Sequence, residues 1–186
     1  SCETTDLDLL DDPNDVTLDK AVLDRYMTAI QLDFNNFIRR MGDNGARLTR
    51  IEYMFGRTYA ANFDPASTDT PWRIAYQGMF SDIFGARLLA NAQGANNHLA
   101  VMNIMQAYTL MTLVDFYGDV PYSETSNPSE FPFPNADDGA AVYAAAIALL
   151  DEATNLFAEG GATLSNDLFY DNDYTKWQKA SNTMKM

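Results

Sequence analysis

An all-α fold is what this 186-residue chain predicts, on three observations. Apolar residues recur every three to four positions through several long segments, the spacing that gives a helix one oily face. Glycine or proline punctuates the boundaries between those segments. No run alternates apolar and polar residues for the length of a strand. The segments read as antiparallel helix pairs with tetratricopeptide-like stacking, inferred from helix lengths because the repeat signature itself is weak.

Residues 1–16 read as an acidic tether, with Asp11, Asp12, Pro13, Asn14 and Asp15 forming a self-repelling, turn-rich run. Residues 17–186 read as one α-helical region. The first helix runs from Leu18 to Met41, with Thr17 as its cap, Asp19 in its first turn, and Arg39 and Arg40 in its last. Leu18, Val22, Tyr26, Ile30, Phe34, Phe37 and Met41 mark its apolar face, and Gly42 stops it. Gly42-Asp43-Asn44-Gly45 reads as a tight turn into a second helix, Ala46 to Ala61. A loop, Asn62 to Thr70, follows.

The third helix opens with Asp69 or Thr70 as cap and Pro71 at its first position. Trp72, Tyr76, Met79, Phe80, Ile83, Phe84 and Leu88 give it a broad aromatic face, and it fades at Gln93-Gly94. The fourth, Asn97 to Tyr117, is apolar around most of its circumference and is expected to be central. Gly118 can adopt the left-handed conformation that ends a helix, and Pro121 keeps Val120 extended. Residues 118–136 form a long Pro-rich loop, of a length usually functional or packed as its own unit. The fifth helix, about Gly139 to Glu159, is Ala-rich, and the sixth begins near Tyr174. The third and fourth helices, then the fifth and sixth, are the expected pairs.

The formal charge of −14 is unevenly spread. Residues 1–19 carry seven carboxylates and no Lys or Arg, and no Lys or Arg occurs from Leu88 to Thr175. Nucleic acid is a poor partner for such a surface, because phosphate neutralisation needs cations. Anionic lipid head groups are disfavoured for the same reason. One cysteine, Cys2, leaves no internal disulfide. The most apolar window, Leu99 to Phe116, is interrupted by polar residues and does not read as a membrane span.

The catalytic inventory is thin. His98 is the single histidine, and it reads as structural or solvated. No phosphate loop, nucleophile elbow or zinc spacing is present, so no cofactor and no metal are expected. Asp171-Asn172-Asp173 lacks the glycine and distal glutamate of a calcium loop and reads as a turn. Asp119 reads as a hydrogen-bond acceptor for loop backbone N–H groups. A glycosidase needs two facing carboxylates, and nothing in the sequence shows which pair would face.

Aromatic residues are abundant: eleven Phe, ten Tyr and two Trp. Flat sugar C–H faces stack on Trp and Tyr, while Asn, Asp, Gln and Arg bond sugar hydroxyls. The region from Arg57 to Tyr76 offers such a set in Arg57, Tyr59, Asn62, Asp64, Trp72, Arg73 and Tyr76. Asp43 and Asn44 are further candidates, although a tight turn favours both for local reasons. Trp72 and Tyr76 are equally i, i+4 neighbours able to pack into a core, and Arg57 can share a solvated face with Arg47 and Arg50.

Four ordered tracts resemble the SusD/RagB family. Cys2 with the following Asp-Leu-Asp-Leu-Leu-Asp-Asp-Pro run is similar to a mature lipoprotein start. Trp72-Arg73-Ile74-Ala75-Tyr76 is similar to the family's third-helix region. Asp115 to Glu124 resembles its Phe-Gly-Asp-Val-Pro hallmark, and Lys176 to Met186 resembles its Lys-Trp-x-Lys-x-Ala-Asn-Ser-Leu-Lys tract. The resemblance implies a helical glycan-binding protein, lipid-anchored through Cys2 to the outer face of a Bacteroidetes outer membrane. It also implies an oligosaccharide or other nutrient as ligand, a SusC-like TonB-dependent transporter as partner, and no enzymatic activity. Ser1 before Cys2 departs from an acylated N-terminus, and the family's greater length leads to the expectation of an N-terminal portion. A tetratricopeptide-like scaffold for peptides or a protein partner is the alternative, and a carbohydrate-active hydrolase a further one.

Overall fold

The computed structural model describes residues 18–53, 68–127 and 130–186, with the side chains of 18–21 left aside. The tether 1–16, Thr17 and the segment 54–67 lie outside the described residues. Within them the chain is all-α: five helices and no strand, the nearest to one being an isolated antiparallel bridge between Val120 and Asp137.

Helix α1 spans Leu18–Leu48 and does not stop at Gly42. The expected tight turn at Gly42-Asp43-Asn44-Gly45 is helical. Of the expected second helix, Ala46 to Ala61, residues 46–48 are the tail of the first, 49–52 are turn and bend, Tyr53 is irregular, and 54–61 lie outside the described residues. Glycine in a helix costs about 1 kcal/mol but does not forbid one. Here Met41 is buried, Arg39 pairs with Asp43 one turn on at 3.5 Å, and Gly45 faces the Phe116 ring. The buried face also differs at the start of the helix. Leu23, Met27, Ile30, Phe34, Phe37 and Met41 form it, whereas Val22 is 37% exposed and Tyr26 half-buried.

Helix α2 is one rod in three parts: Asp69–Arg73, a π-helical segment Ile74–Met79, and Phe80–Gln93. Its cap position is Thr68, one residue before the expected cap, and Pro71 is buried in its first turn. The residues facing the core are mostly small: Ala75, Met79, Ile83, Ala86 and Ala90. The π segment brings Gly78 against α1, where a Cβ would overlap the Asp33 carboxylate. Helix α3, Asn96–Tyr117, buries fourteen of its 22 residues and is the centre of the molecule. His98 is built into that core, 2% exposed, with Nε2 3.7 Å from Asp24 Oδ1. Helix α4, Gly139–Glu159, is capped by Asp138, whose carboxylate accepts from the Ala141 N–H. Helix α5, Tyr174–Met184, is capped by Asp173.

Cross-helix contacts fix the directions. Asn96 bonds Glu159, Asn103 bonds Glu152 and Tyr143 bonds Asp115, so α3 and α4 run antiparallel. Tyr26 against Gly85 and Asp33 against Gly78 make α1 and α2 antiparallel as well. The most extensive pairings are α1 with α2 and α3 with α4. The pairs expected from the sequence, now α2 with α3 and α4 with α5, touch less. By length and apolarity α3 and α4 both qualify as membrane spans, against the sequence expectation, but 67% of the α3 window is buried inside the protein against 28% for α4. Burial in a protein core accounts for the apolarity of α3.

The connection from α4 to α5 has no regular ladder and is held by side chains. Gln31, fully buried on α1, donates to the Asn166 carbonyl and accepts from the Leu168 N–H, both at 2.8 Å. Asp167 accepts from the N–H groups of Phe169, Tyr170 and Asn172 and from the Trp177 indole. Asp171 and Asn172 both have positive φ, so this is the turn the sequence indicates.

Candidate functional site

Of the aromatic residues of α2, Phe80 joins the core, while Trp72, Tyr76 and Phe84 lie at its edge. Because alanines carry the close approach to the other helices, the larger rings are displaced to the helix edge. Trp72 and Tyr76 are half-buried, Phe80 is buried, Phe84 is 45% exposed and Leu88 is 62% exposed. The rings form a ladder at i, i+4 spacing. Trp72 lies 4.6 Å from Tyr76, and Tyr76 lies 5.2 Å from Phe80 edge-on. Tyr117, from the end of α3, meets Trp72 edge-on at 5.2 Å. This offset and edge-on geometry favours aromatic pairs and stiffens the strip.

The loop after α3 flanks the ladder and is tied down through carboxylates. Tyr76 Oη donates to the Pro121 carbonyl at 2.8 Å. Burial pushes the Tyr76 phenol well above its ordinary range, reinforced by the Asp137 charge, so it remains a donor. Asp137 accepts from the Tyr122 N–H, the Ser123 N–H and the Ser123 hydroxyl at 2.6–2.8 Å. Burial alone would raise the Asp137 carboxyl, yet these three bonds hold it below the usual carboxylate range. Glu124 accepts from the Asn135 N–H, and Asp119 accepts from the Gly139 N–H, the role expected for it.

Among the described residues, two depressions open beside this strip and a third lies next to Pro71. One of about 370 Å³ lies between α2 and the loop, bordered by Tyr76, Phe80, Phe84, Arg87, Gln106 and Thr125 among others. Arg87 donates to Gln106 Oε1 at 2.8 Å, and burial lowers its guanidinium pKa while the Glu152 charge opposes the shift. A second, open and about 520 Å³, is bordered by Asp69, Thr70, Trp72 and Arg73. The third is small, about 120 Å³, and bordered by Arg39, Arg40, Asp43, Asn44, Arg47 and Pro71.

The candidates from the sequence therefore fall into three groups. Trp72, Arg73 and Tyr76 come together on α2, and the i, i+4 packing of Trp72 on Tyr76 holds as well. Asp43 and Asn44 lie on helical backbone, not in a turn, and face the arginines of α1. Arg57, Tyr59, Asn62 and Asp64, like Cys2, lie outside the described residues. Phe80, Phe84, Arg87, Gln106 and Tyr117 were not among the candidates. The continued i, i+4 aromatic run pointed to the first two, and nothing local in sequence announces the others. Rings set beside amide, hydroxyl and guanidinium donors make a surface for a flat polyhydroxylated ligand. Among the described residues no group of three or more His, Cys, Asp or Glu could hold a metal ion.

The model of the SusD-like_2 family, described as starch-binding and associating with the outer membrane, matches residues 16–186. No curated protein matches the chain.

Proposed function

The chain belongs to the SusD-like family, and from that premise we propose that it captures oligosaccharides at the cell surface and hands them to a SusC-like TonB-dependent transporter. The family's description already carries a binding role associated with the outer membrane. The observation that supports a specific site is the half-exposed aromatic ladder of α2 with Arg73 beside it. Trp72 stacks on a sugar face, Arg73 bonds its hydroxyl rim, and Tyr76 braces both against the loop. Asp43 and Asn44, at the neighbouring depression, are further candidates for ligand contact, as are Arg57, Tyr59 and Asn62, which lie outside the described residues. Acylation of Cys2 anchors the chain, each buried acyl CH₂ contributing about 0.8 kcal/mol. The reading is binding without turnover.

Isothermal titration against plant and mucin oligosaccharides tests it. Trp72→Ala and the exposed Arg73→Ala are each expected to weaken binding about tenfold, or ~1.4 kcal/mol. Arg73→Ala keeps the melting temperature, which separates lost contact from lost folding, since Trp72 also packs on Tyr76 and Tyr117. Unchanged affinity in both variants, or release of reducing sugar by the wild type, overturns the reading.

A further inference from the structure

Four arginines of this acidic chain, Arg39, Arg40, Arg47 and Arg73, border two depressions, and they are four of its twelve cationic side chains in a protein of formal charge −14. The carboxylates that border the same depressions are Asp43 and Asp69. The continuity of α1 through Gly42 and Gly45 creates the grouping, because a turn at Gly42 would send Arg47 away from Arg39 and Arg40. Helical spacing instead returns Arg47 to the face of Arg39 and Arg40 two turns later.

Arg39 shares its charge with Asp43 at 3.5 Å, and Arg47 Nε lies 4.0 Å from Glu52. Both pairs are largely solvent-exposed, so neither neutralises its arginine strongly. Arg40 and Arg73 have no ion-pair partner among the described residues. The depression that Arg39, Arg40 and Arg47 border is almost wholly polar and about 120 Å³, room for a single small anion. Pro71 forms its far wall. The neighbours of Pro71 in the chain, Thr70 and Trp72, border the larger depression that holds Arg73. A guanidinium presents a planar fork of donors that matches the oxygens of sulfate and carboxylate, which lysine does not.

We propose that this arginine-walled depression receives a sulfate or carboxylate substituent of an anionic oligosaccharide whose sugar rings lie against Trp72. The inference rests on the glycan-binding reading above and names the class of glycan. The charge elsewhere on the chain repels such a ligand, so capture depends on this patch and weakens with salt. Asn44 adds a neutral amide beside the arginines, and Asp43, paired to Arg39, fixes that side chain.

The test uses the full chain and hexasaccharide probes: maltohexaose (neutral), hyaluronan (carboxylate only), a sulfated dextran fragment (sulfate only) and chondroitin sulfate (both). At least one anionic probe should bind about tenfold or more tighter than the neutral one at low salt, and lose that margin as sodium chloride is raised. Arg40→Ala with Arg47→Ala removes the margin and leaves neutral binding and the melting temperature unchanged. Hyaluronan against sulfated dextran tells which anion is read. Equal binding of neutral and anionic probes, or a margin that survives the double variant, overturns the proposal while leaving the glycan reading intact. Absence of binding to all four probes overturns both. Arginine-dependent binding to phosphatidylglycerol vesicles without binding to the anionic sugars assigns the patch to a lipid surface and also overturns the proposal.

Discussion

Asp167 is 8% exposed and accepts from three backbone amides and one indole within eleven residues of chain. Phe169, Tyr170 and Asn172 are half-buried and Trp177 is buried, so the carboxylate satisfies donors that the fold draws away from water. Asp167→Ala leaves the donors without an acceptor and should cost about 2–4 kcal/mol. Urea denaturation reads this as a lower midpoint at unchanged slope. A loss below about 0.5 kcal/mol would mean that water replaces the carboxylate. Tyr143 illustrates the same economy at the surface. Its bond to Asp115 is the first cause that pushes the phenol up to about 12, so it donates across any physiological range. Neither role is visible in sequence, because each acceptor meets donors whose position depends on the path of the chain.

At the scale of the helix, two features are open to measurement. Asp33 on α1 and Asp82 on α2 both have raised carboxyl pKa values, from burial first and, for Asp33, from the Asp82 charge as well. A raised carboxyl favours the neutral form in the folded state. Ionisation therefore costs stability, fully above the folded pKa and not at all below the ordinary 3.8. Asp33→Asn should raise the melting temperature at pH 7, and the gain should fade as pH drops toward 4. An equal gain at both values would show that charge is not the cause. Gly118 ends α3 at φ +79 and ψ −114, which a side chain reaches only under strain. Gly118→Ala should destabilise by about 1–2 kcal/mol, read from thermal unfolding. Stability equal to wild type would show that the α3 stop tolerates a Cβ. The sequence announces this stop through Gly118 and Pro121, and α4 through its alanine-rich run, while the caps Asp138 and Asp173 emerge only in the fold. It misreads Gly42, because the packing of Met41 and Gly45 that sustains the helix is long-range and leaves no local trace.

At the scale of the whole molecule, the all-α class and the central helix were legible because fourteen buried residues of α3 leave no polar face to conceal them. The pairing of helices was not legible. Antiparallel neighbours satisfy the same periodicity whichever pair packs more closely, and only side-chain size at each contact decides. Alanines at positions 75, 86 and 90 bring α2 close to its neighbours and push Trp72, Tyr76 and Phe84 outward. The periodic aromatic run thus reads as core in sequence and lies half in solvent in the fold. Charge follows the same rule. The sequence shows that the formal −14 is unevenly spread, but not that folding brings Arg39, Arg40 and Arg47 of α1 and Arg73 of α2 to two depressions that flank Pro71.

The loop between α3 and α4 is fastened by Asp119, Glu124 and Asp137, and in each case an acceptor carboxylate holds a backbone N–H. Every residue but proline supplies that donor. The held positions themselves are further constrained: Tyr122 packs on the core, the Ser123 hydroxyl bonds Asp137, and a Cβ at Gly139 would crowd Val114 and the Gly118 carbonyl. The bonds of Asp119, Glu124 and Asp137 to backbone do not depend on the side chains of Thr125 and Ser126, the loop residues beside Phe84 and Arg87. Substitutions at Thr125 and Ser126 can therefore change the chemistry of this wall of the depression without a change of fold.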